Sequence, residues 1–414
     1  MSLHIIHTAD WHLGQTFFGY DREAEHDAFL SWLADTLEEL RTDVLLISGD
    51  VFDVANPSAS AQHRFFRFLR DISRRLPQLQ IVITAGNHDS AIRLEAPVPL
   101  LEELRTSVSG IIRRTEEGTI DFDSLLVPLY NGEGIREAFC LAVPYLRQGD
   151  YPPSDEDEDT YMAGINRMYR QLFDYADGGR EPGEALIAMG HLHATGAELS
   201  DDDRSERVIM GGLESVSSDI FDKGLAYTAL GHIHKAQRVG GRENVRYAGS
   251  PLPMSFSEKN YRHQVVNVVL EKGKLSTIET IPVPLLTGLL RIPEQPASPE
   301  VVLRQLAELP VAPVDSDKSS WPYLEVQVLL TEPEPGFRHR VEEVLADKAV
   351  RLTSIRPSYP ERVDEEMVDS FSYTDLQKID PLDMLRHAFA NRYGGELPEE
   401  LESMFKLVMR EVSI

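Results

Sequence analysis

Residues 43–53 read DVLLISGDVFD. Four apolar residues, Val44 to Ile47, run without a break and then give way to Ser-Gly-Asp. A short apolar run closed by a glycine and an acid predicts a strand that ends in a sharp polar turn. The same pattern stands on both sides, in LHIIHTAD (3–10) and QIVITAGNHD (80–89). Between the first two lies HDAFLSWLADTLEEL (26–40), whose Phe29, Leu30, Leu33, Leu37 and Leu40 fall near helical spacing. Between the second and third lies PSASAQHRFFRFLRDISRRL (57–76), with Pro57 at a helix start. Strand, helix, strand, helix, strand predicts an α/β layer with parallel neighbours. Each strand ends in a polar cluster (TADWH, SGDVFD, AGNHD), and open α/β sheets place ligands beyond the carboxyl ends of their strands.

Two later apolar runs, ALIAMGHLH (185–193) and AYTALGHIH (226–234), end in the same way, and VRYAGSP (245–251) and HQVVNVVLE (263–271) read as further strands. The acidic runs SDEDED (154–159) and SDDD (200–203) read as solvated loops. Composition shifts near residue 284, and the proline-rich LLRIPEQPASPE (289–300) reads as a linker or domain edge. After it come a helix (301–309), a strand (323–330), a helix (337–346) and a strand (349–355), enough for a small α+β domain. Asp380 and Pro381 open one more helix, with Leu382, Leu385 and Phe389 on one face and Gly394-Gly395 as its stop. A last helix near Pro398 carries an apolar stripe of Leu401, Met404, Phe405, Val408 and Val412. The expected domains are therefore 1–284, 285–360 and 361–414.

The chain has 414 residues, 42% hydrophobic and 26% charged, the balance of a folded globular protein rather than a fibrous or disordered one. With 41 basic and 68 acidic residues its net charge is −27, which disfavours broad, non-specific coating of DNA. It does not exclude a nuclease, because bound cations make a cleft locally electropositive. One cysteine, Cys140, allows no intrachain disulfide and no cysteine-based zinc site, so any metal must be held by His, Asp, Glu or Asn. The opening MSLHIIHTADWH reads as a first strand rather than a signal peptide, and no apolar run is long enough to suggest a membrane span.

The chemistry sits in five clusters: Asp10-Trp11-His12, Gly49-Asp50-Val51-Phe52-Asp53, Gly86-Asn87-His88-Asp89, Gly190-His191-Leu192-His193 and Gly231-His232-Ile233-His234. Each alone is weak. Together they place oxygen and nitrogen donors after five apolar runs, with glycine before four of them. Carboxylates, an amide oxygen and imidazoles suit manganese, iron or zinc, and two such ions are a standard device for breaking phosphoesters.

In this order the motifs D-x-H, G-D-x-x-D, G-N-H-D, G-H and G-H-x-H resemble the calcineurin-like metallophosphoesterases. The chain start, the Asn-Pro-Ser after the second motif (56–58), the small α+β domain and the terminal helix pair further resemble the SbcD family of bacterial nuclease subunits. The resemblance implies a four-layer αββα sandwich with an α+β capping domain and a helix pair that docks on the coiled-coil base of an SbcC-type, SMC-like ATPase. It implies Asp10, His12 and His234 on one ion, Asn87, His191 and His232 on the other, and Asp50 bridging both. His88 would protonate the leaving oxygen, and Asp89 would orient its ring.

The implied activity is manganese-dependent double-strand exonuclease and single-strand or hairpin endonuclease action in DNA repair and recombination. The resemblance also implies a homodimer, located in the cytoplasm at the nucleoid. ATP would be used by the partner, since this chain has no G-x-x-x-x-G-K-[ST]. The rival is a phosphatase or phosphodiesterase acting on small-molecule or protein phosphoesters. Two readings stand for Asp53, a hydrogen bond to a ligand histidine or satisfaction of its turn, and two for His193, a second contributor beside His191 or a polar loop residue. Two also stand for the Phe- and Arg-rich helix 59–76, a core-facing amphipath or a dimer surface, and two for the last helix, packing on its neighbour or in a partner groove.

Overall fold

The computed structural model describes residues 2–153, 161–194, 216–313 and 317–359, together with scattered positions between 382 and 406. The acidic runs at 154–159 and 200–203 and the stretch 361–381 lie outside the described residues, as do Gly394, Gly395, Val408 and Val412 of the terminal helix pair.

The chain divides into two compact units, Met1–Leu290 with Asp317–Tyr323, and Arg291–Ser316 with Leu324–Ile414. In the first, the elements run β1 (Ser2–Thr8), β2 (Thr16–Phe17), β3 (Tyr20–Asp21), α1 (Glu23–Glu39), β4 (Val44–Ser48), α2 (Ala59–Arg75), β5 (Gln80–Thr84), α3 (Ala91–Glu95), α4 (Val98–Leu101) and β6 (Thr106–Ser109). They continue with β7 (Leu126–Tyr130), β8 (Arg136–Ala142), α5 (Tyr161–Gly179), β9 (Ala185–His191), β10 (Tyr227–Gly231), β11 (Gln237–Val239), β12 (Arg242–Tyr247), β13 (Gln264–Glu271) and β14 (Lys274–Pro282).

Two six-stranded sheets result, ordered β14-β13-β1-β4-β5-β6 and β11-β12-β10-β9-β8-β7. β1, β4, β5 and β6 pair in parallel, and so do β8, β9, β10 and β12. Antiparallel pairs complete both sheets. The central strands are apolar throughout because both faces are covered. In β4, Leu45 and Ile47 join the core beneath α1 and α2, while Val44 and Leu46 join the layer between the sheets. In β9, Leu186 and Ala188 face α5 while Ala185, Ile187 and Met189 face the opposite sheet. Three apolar layers between four layers of structure make the αββα sandwich.

Helix α2 opens at Ala59 rather than at Pro57, because the Ser58 hydroxyl accepts the Ala61 N–H at 3.2 Å and so caps it. Its Phe65, Phe68, Leu69 and Ile72 are buried in the core, and Trp11 presents edge contacts to Phe29, Phe65 and Phe68. The aromatic content of this helix is thus mostly core. Arg64 and Arg67 bind Asp27 of α1 at 2.8 and 3.0 Å, and Arg75 binds Asp35 and Glu38. Helix α5, absent from the sequence-based expectations, buries Ile165, Met168, Tyr169, Leu172 and Ala176 at helical spacing.

The second unit contains β15 (Leu289–Ala297), α6 (Pro299–Ala307), β16 (Tyr323–Leu329), α7 (Phe337–Leu345) and β17 (Arg351–Ser358), with sheet order β15-β16-β17. The proline-rich stretch, read from sequence as a linker or domain edge, forms a strand, and the division between the two units falls within it. Its prolines are tolerated because β15 lies at the sheet edge, where a missing N–H breaks no ladder on the open side. Glu325, fully buried in β16, accepts hydrogen bonds at 2.6 Å from Arg291 of β15 and Arg356 of β17.

Ile187 lies fully buried between the two sheets, so Ile187→Ala removes packing that neither sheet can recover by collapse. We expect a loss of about 2–5 kcal/mol, read as a lower urea midpoint.

Candidate dinuclear metal centre

The parallel strands β1, β4, β5, β9 and β10 leave their sheets at one rim, and backbone contacts lock the departing loops together. Asp10 N donates to Gly49 O at 3.1 Å, and His12 N to Asp50 O at 3.0 Å. His232 N donates to Asp10 Oδ1 and His88 N to Asp50 Oδ1, each at 2.9 Å. Asp10, His12, Asp50 and His232 all adopt left-handed backbone, with φ of 55°, 46°, 49° and 100°. Non-glycine residues rarely do so, and several together mark loops bent to aim side chains rather than to minimise strain. Glycine solves the remaining crowding: a Cβ on Gly49 would overlap the His191 ring, and one on Gly86 would overlap Asp50 Oδ1.

The side chains form three groups, each with its ligand-type atoms within 4.8 Å of one another: Asp10, His12 and His234; Asp50, His191 and His232; and His12, Asp53 and His88. Asn87 joins the second, its Oδ1 lying 2.9 Å from His191 Nε2 and 3.0 Å from His232 Nδ1. Asp50 Oδ2 stands between the first two groups, 3.1 Å from His191 Nε2 and 3.9 Å from His12 Nε2. His191 Nδ1 lies 2.9 Å from the Ser48 carbonyl and donates to it, which leaves Nε2 turned toward Asp50 and Asn87.

The donor set fits cations. Asp10 and Asp50 are fully buried, and Asp10 Oδ2 accepts no hydrogen bond among the described residues. Burial pushes the Asp10 carboxyl up to about 6 against the pull of the neighbouring histidines. Burial acts on Asp50 in the same sense, but the imidazoles of His191, His12 and His88 outweigh it and hold that carboxyl well below the usual range. His191 shows the reciprocal effect: burial disfavours its charge, Asp50 and Asp10 override it, and its pKa rises to about 9. Two dry carboxylates facing four imidazoles demand positive charge, which divalent ions supply more fully than protons.

Asp53 Oδ1 lies 3.4 Å from His12 Nδ1, and its main-chain carbonyl lies 2.8 Å from His88 Nδ1. Asp89 does not orient the His88 ring as expected. Its carboxylate is spent inside the loop, accepting N–H groups of Gly86, Val51 and Phe52 at 2.9, 3.2 and 3.0 Å. The Asp53 carbonyl takes that orienting role instead. His193 belongs to none of the three groups. Sequence reasoning missed Glu258, buried, whose Oε1 lies 3.2 Å from His234 Nδ1 and whose Oε2 accepts the Met254 N–H at 2.8 Å. Nothing in its surroundings (SFSEKN, 255–260) signals the role, which arises only where the loop after β12 folds back on the rim.

A sandwich of two mixed sheets with paired His/Asp/Asn groups at its rim defines a dinuclear phosphoester hydrolase. The chain matches the calcineurin-like phosphoesterase family over residues 3–236, and over residues 286–393 it matches SbcD_C, described as the type 5 capsule protein repressor C-terminal domain. A Rhodobacter capsulatus protein named as the SbcD subunit of the nuclease SbcCD is 38% identical, with 87% of this chain and 88% of that protein covered. Proteins of the same name from Escherichia coli K12 (31% identical; 87% of this chain and 86% of that protein) and Bacillus subtilis (29%; 99% and 98%) match as well. The chain belongs to the calcineurin-like phosphoesterases and, among them, to the SbcD family of nuclease subunits. It is a hydrolytic phosphodiesterase whose site is built for two divalent ions. No helix among the described residues is long and apolar enough to cross a membrane.

Because Glu258 fixes the ring of His234, Glu258→Gln should weaken divalent-ion binding about 10–100-fold. Chelator competition measures this, and the melting temperature of the metal-free chain should change little.

Proposed function

We propose that this chain is the metal-dependent DNA nuclease subunit of an SbcCD-type complex, acting on duplex ends, hairpins and single strands in repair and recombination. The observation that carries the reading is the placement of Asp50 Oδ2 between two separate donor groups, in a chain whose nuclease-named relatives match along most of its length. Asp10, His12 and His234 would hold one ion, Asn87, His191 and His232 the other, and Asp50 would serve both. The ions are manganese, which the mixed oxygen and imidazole donors suit. Such ions would supply charge stabilisation at the phosphate oxygens and acidity at a water.

The remaining steps fall to the protein. His88 stands beside the first group, its ring edge-on to that of His12 with centroids 4.9 Å apart. The Asp53 carbonyl fixes its Nδ1, so Nε2 is the nitrogen that passes a proton to the departing sugar oxygen. Asp53 steadies His12 through Nδ1, the ring nitrogen not directed at Asp50. Asp89 keeps the loops of Asp50 and Asn87 in register through its three backbone contacts.

Residues 1–284 form the nuclease domain, 285–360 a cap that contacts DNA, and 361–414 a linker and helix pair that docks on an SbcC-type coiled-coil ATPase. The family match over 286–393 supports the last two assignments, as do helical positions at 382, 385, 386, 389, 401, 402 and 404–406. A homodimer completes the assembly; Ile92 and Leu100 expose apolar side chains on α3 and α4 that suit a partner copy. In this reading the complex acts at the nucleoid, in the cytoplasm.

Manganese-loaded chain should degrade linear duplex and hairpin DNA and hydrolyse a bis-aryl phosphodiester well above the matching monoester. A preference for the monoester, with no action on DNA, would transfer the chain to the phosphatases.

The roles within the site separate by metal analysis. His88→Gln should keep both ions while turnover falls about 10²–10⁴-fold. Asp50→Asn should instead lower the content of both ions after dialysis, and equal metal loss in the two variants would contradict the assignment.

A further inference from the structure

Beyond the two donor groups, the rim continues through the loop that follows β8. This loop reads Val143-Pro144-Tyr145-Leu146-Arg147 and none of its residues is a metal donor in the site described above. Tyr145 N donates to Ala85 O at 2.8 Å, which ties the loop to the residue preceding Gly86-Asn87. The Tyr145 ring is largely buried and meets the His191 ring edge-on, with centroids 6.2 Å apart. The Arg147 guanidinium lies over that same ring, 5.5 Å from its centroid.

The turn beyond holds Arg147 in place. Its N–H donates to Asp150 Oδ2 at 2.8 Å, and Asp150 N donates back to the Arg147 carbonyl at 3.0 Å. Arg114 braces the turn from outside, with Nη2 donating to Gly149 O at 2.8 Å and Nη1 to Gly118 O at 2.9 Å. Both arginines are exposed, and among the described residues neither guanidinium is in an ion pair. In the same unit Arg64, Arg67, Arg75, Arg113 and Arg136 pair with carboxylates and others, such as Arg41, Arg74 and Arg93, do not, but among the described residues Arg147 is the unpaired arginine that stacks on an aromatic ring. An exposed arginine with no carboxylate, held by stacking on a ring that touches a donor histidine, is available to an anionic partner from outside.

We propose that Arg147, carried on Tyr145, binds a backbone phosphate flanking the scissile one on the Asn87–His191–His232 side of the centre, and so positions the nucleic-acid strand. The proposal rests on the nuclease reading above. Arg147 is a positioning residue: it does not touch the reacting atoms, and its contribution is to strand register and affinity. A small diester, having no flanking phosphate, cannot use it.

The test compares the manganese-loaded full chain with Arg147→Gln and Arg147→Lys. kcat/KM is measured on a linear duplex across a series of salt concentrations and on a bis-aryl phosphodiester at one. For Arg147→Gln we expect KM for DNA to rise several-fold with kcat nearly unchanged. The slope of log kcat/KM against log salt should shrink by about 0.9, the value for one lost phosphate contact on duplex DNA. Arg147→Lys should keep most of the slope, because a point charge suffices for counterion release. Bound metal and small-diester hydrolysis should match the parent chain in both variants. An unchanged salt slope in Arg147→Gln overturns the proposal, and so does an equal loss on DNA and the small diester, which would mean that Arg147 acts through the metal site. A parent chain that hydrolyses the small diester and leaves DNA untouched instead overturns the nuclease reading itself, and the proposal with it.

Discussion

Asp10 and Asp50 are two carboxylates withdrawn completely from water, and the counter-charges that face them among the described residues are imidazoles. The rest of the molecule can be understood as the structure needed to keep them there. An isolated buried carboxylate protonates or drives local rearrangement. Here the four imidazoles offset part of the charge, and the deficit is what a pair of divalent ions corrects. The left-handed backbone at Asp10, His12, Asp50 and His232 carries a related cost, since each of these residues would relax if its loop were released. Stored strain and unmet charge thus converge on the same few positions.

What resists relaxation is the sandwich beneath. Each donor-bearing loop leaves a central parallel strand with covered faces on both sides, so its take-off point cannot slide by one residue without exchanging the side chains of two packed layers. The layer between the sheets, with Leu46, Val82, Ile187 and Met189 at its centre, couples the two halves. The first group draws Asp10 and His12 from one sheet and His234 from the other; the second draws Asp50 and Asn87 from one and His191 and His232 from the other. Metal spacing is therefore a property of how the sheets stack, and not of any single loop.

This division explains what was legible in the sequence. The strand endings could be read because a continuous apolar run and the polar residues that follow it are adjacent in the chain, and five repetitions leave little room for accident. Roles that depend on the return of a distant loop could not. Asp89 follows His88, and adjacency suggests a partnership with it. In fact the turn directs its carboxylate back into three N–H groups, and a carbonyl from Asp53 meets the histidine instead. Glu258 reaches His234 from 24 positions away, out of a stretch with no motif. The strand at Leu289–Ala297 was hidden by its prolines, which argue against a central strand and are harmless at an edge. Helix α5 does carry the apolar period, but it stands between two acidic runs whose polarity masks it.

Charge gives the last constraint. A protein of net charge −27 that works on a polyanion must concentrate its attraction where it is useful. Among the described residues several surface arginines are already committed to neighbouring carboxylates, as Arg75 is to Asp35 and Glu38, which removes them as general phosphate contacts. The attraction left over comes from cations outside such pairs, Arg147 among them, and from the ions that the donor groups would hold. A nuclease subunit built this way would draw a polyanion to its donor groups rather than along its whole surface. The acidic balance, at first a mark against a DNA enzyme, is in this sense part of how one keeps its cutting confined.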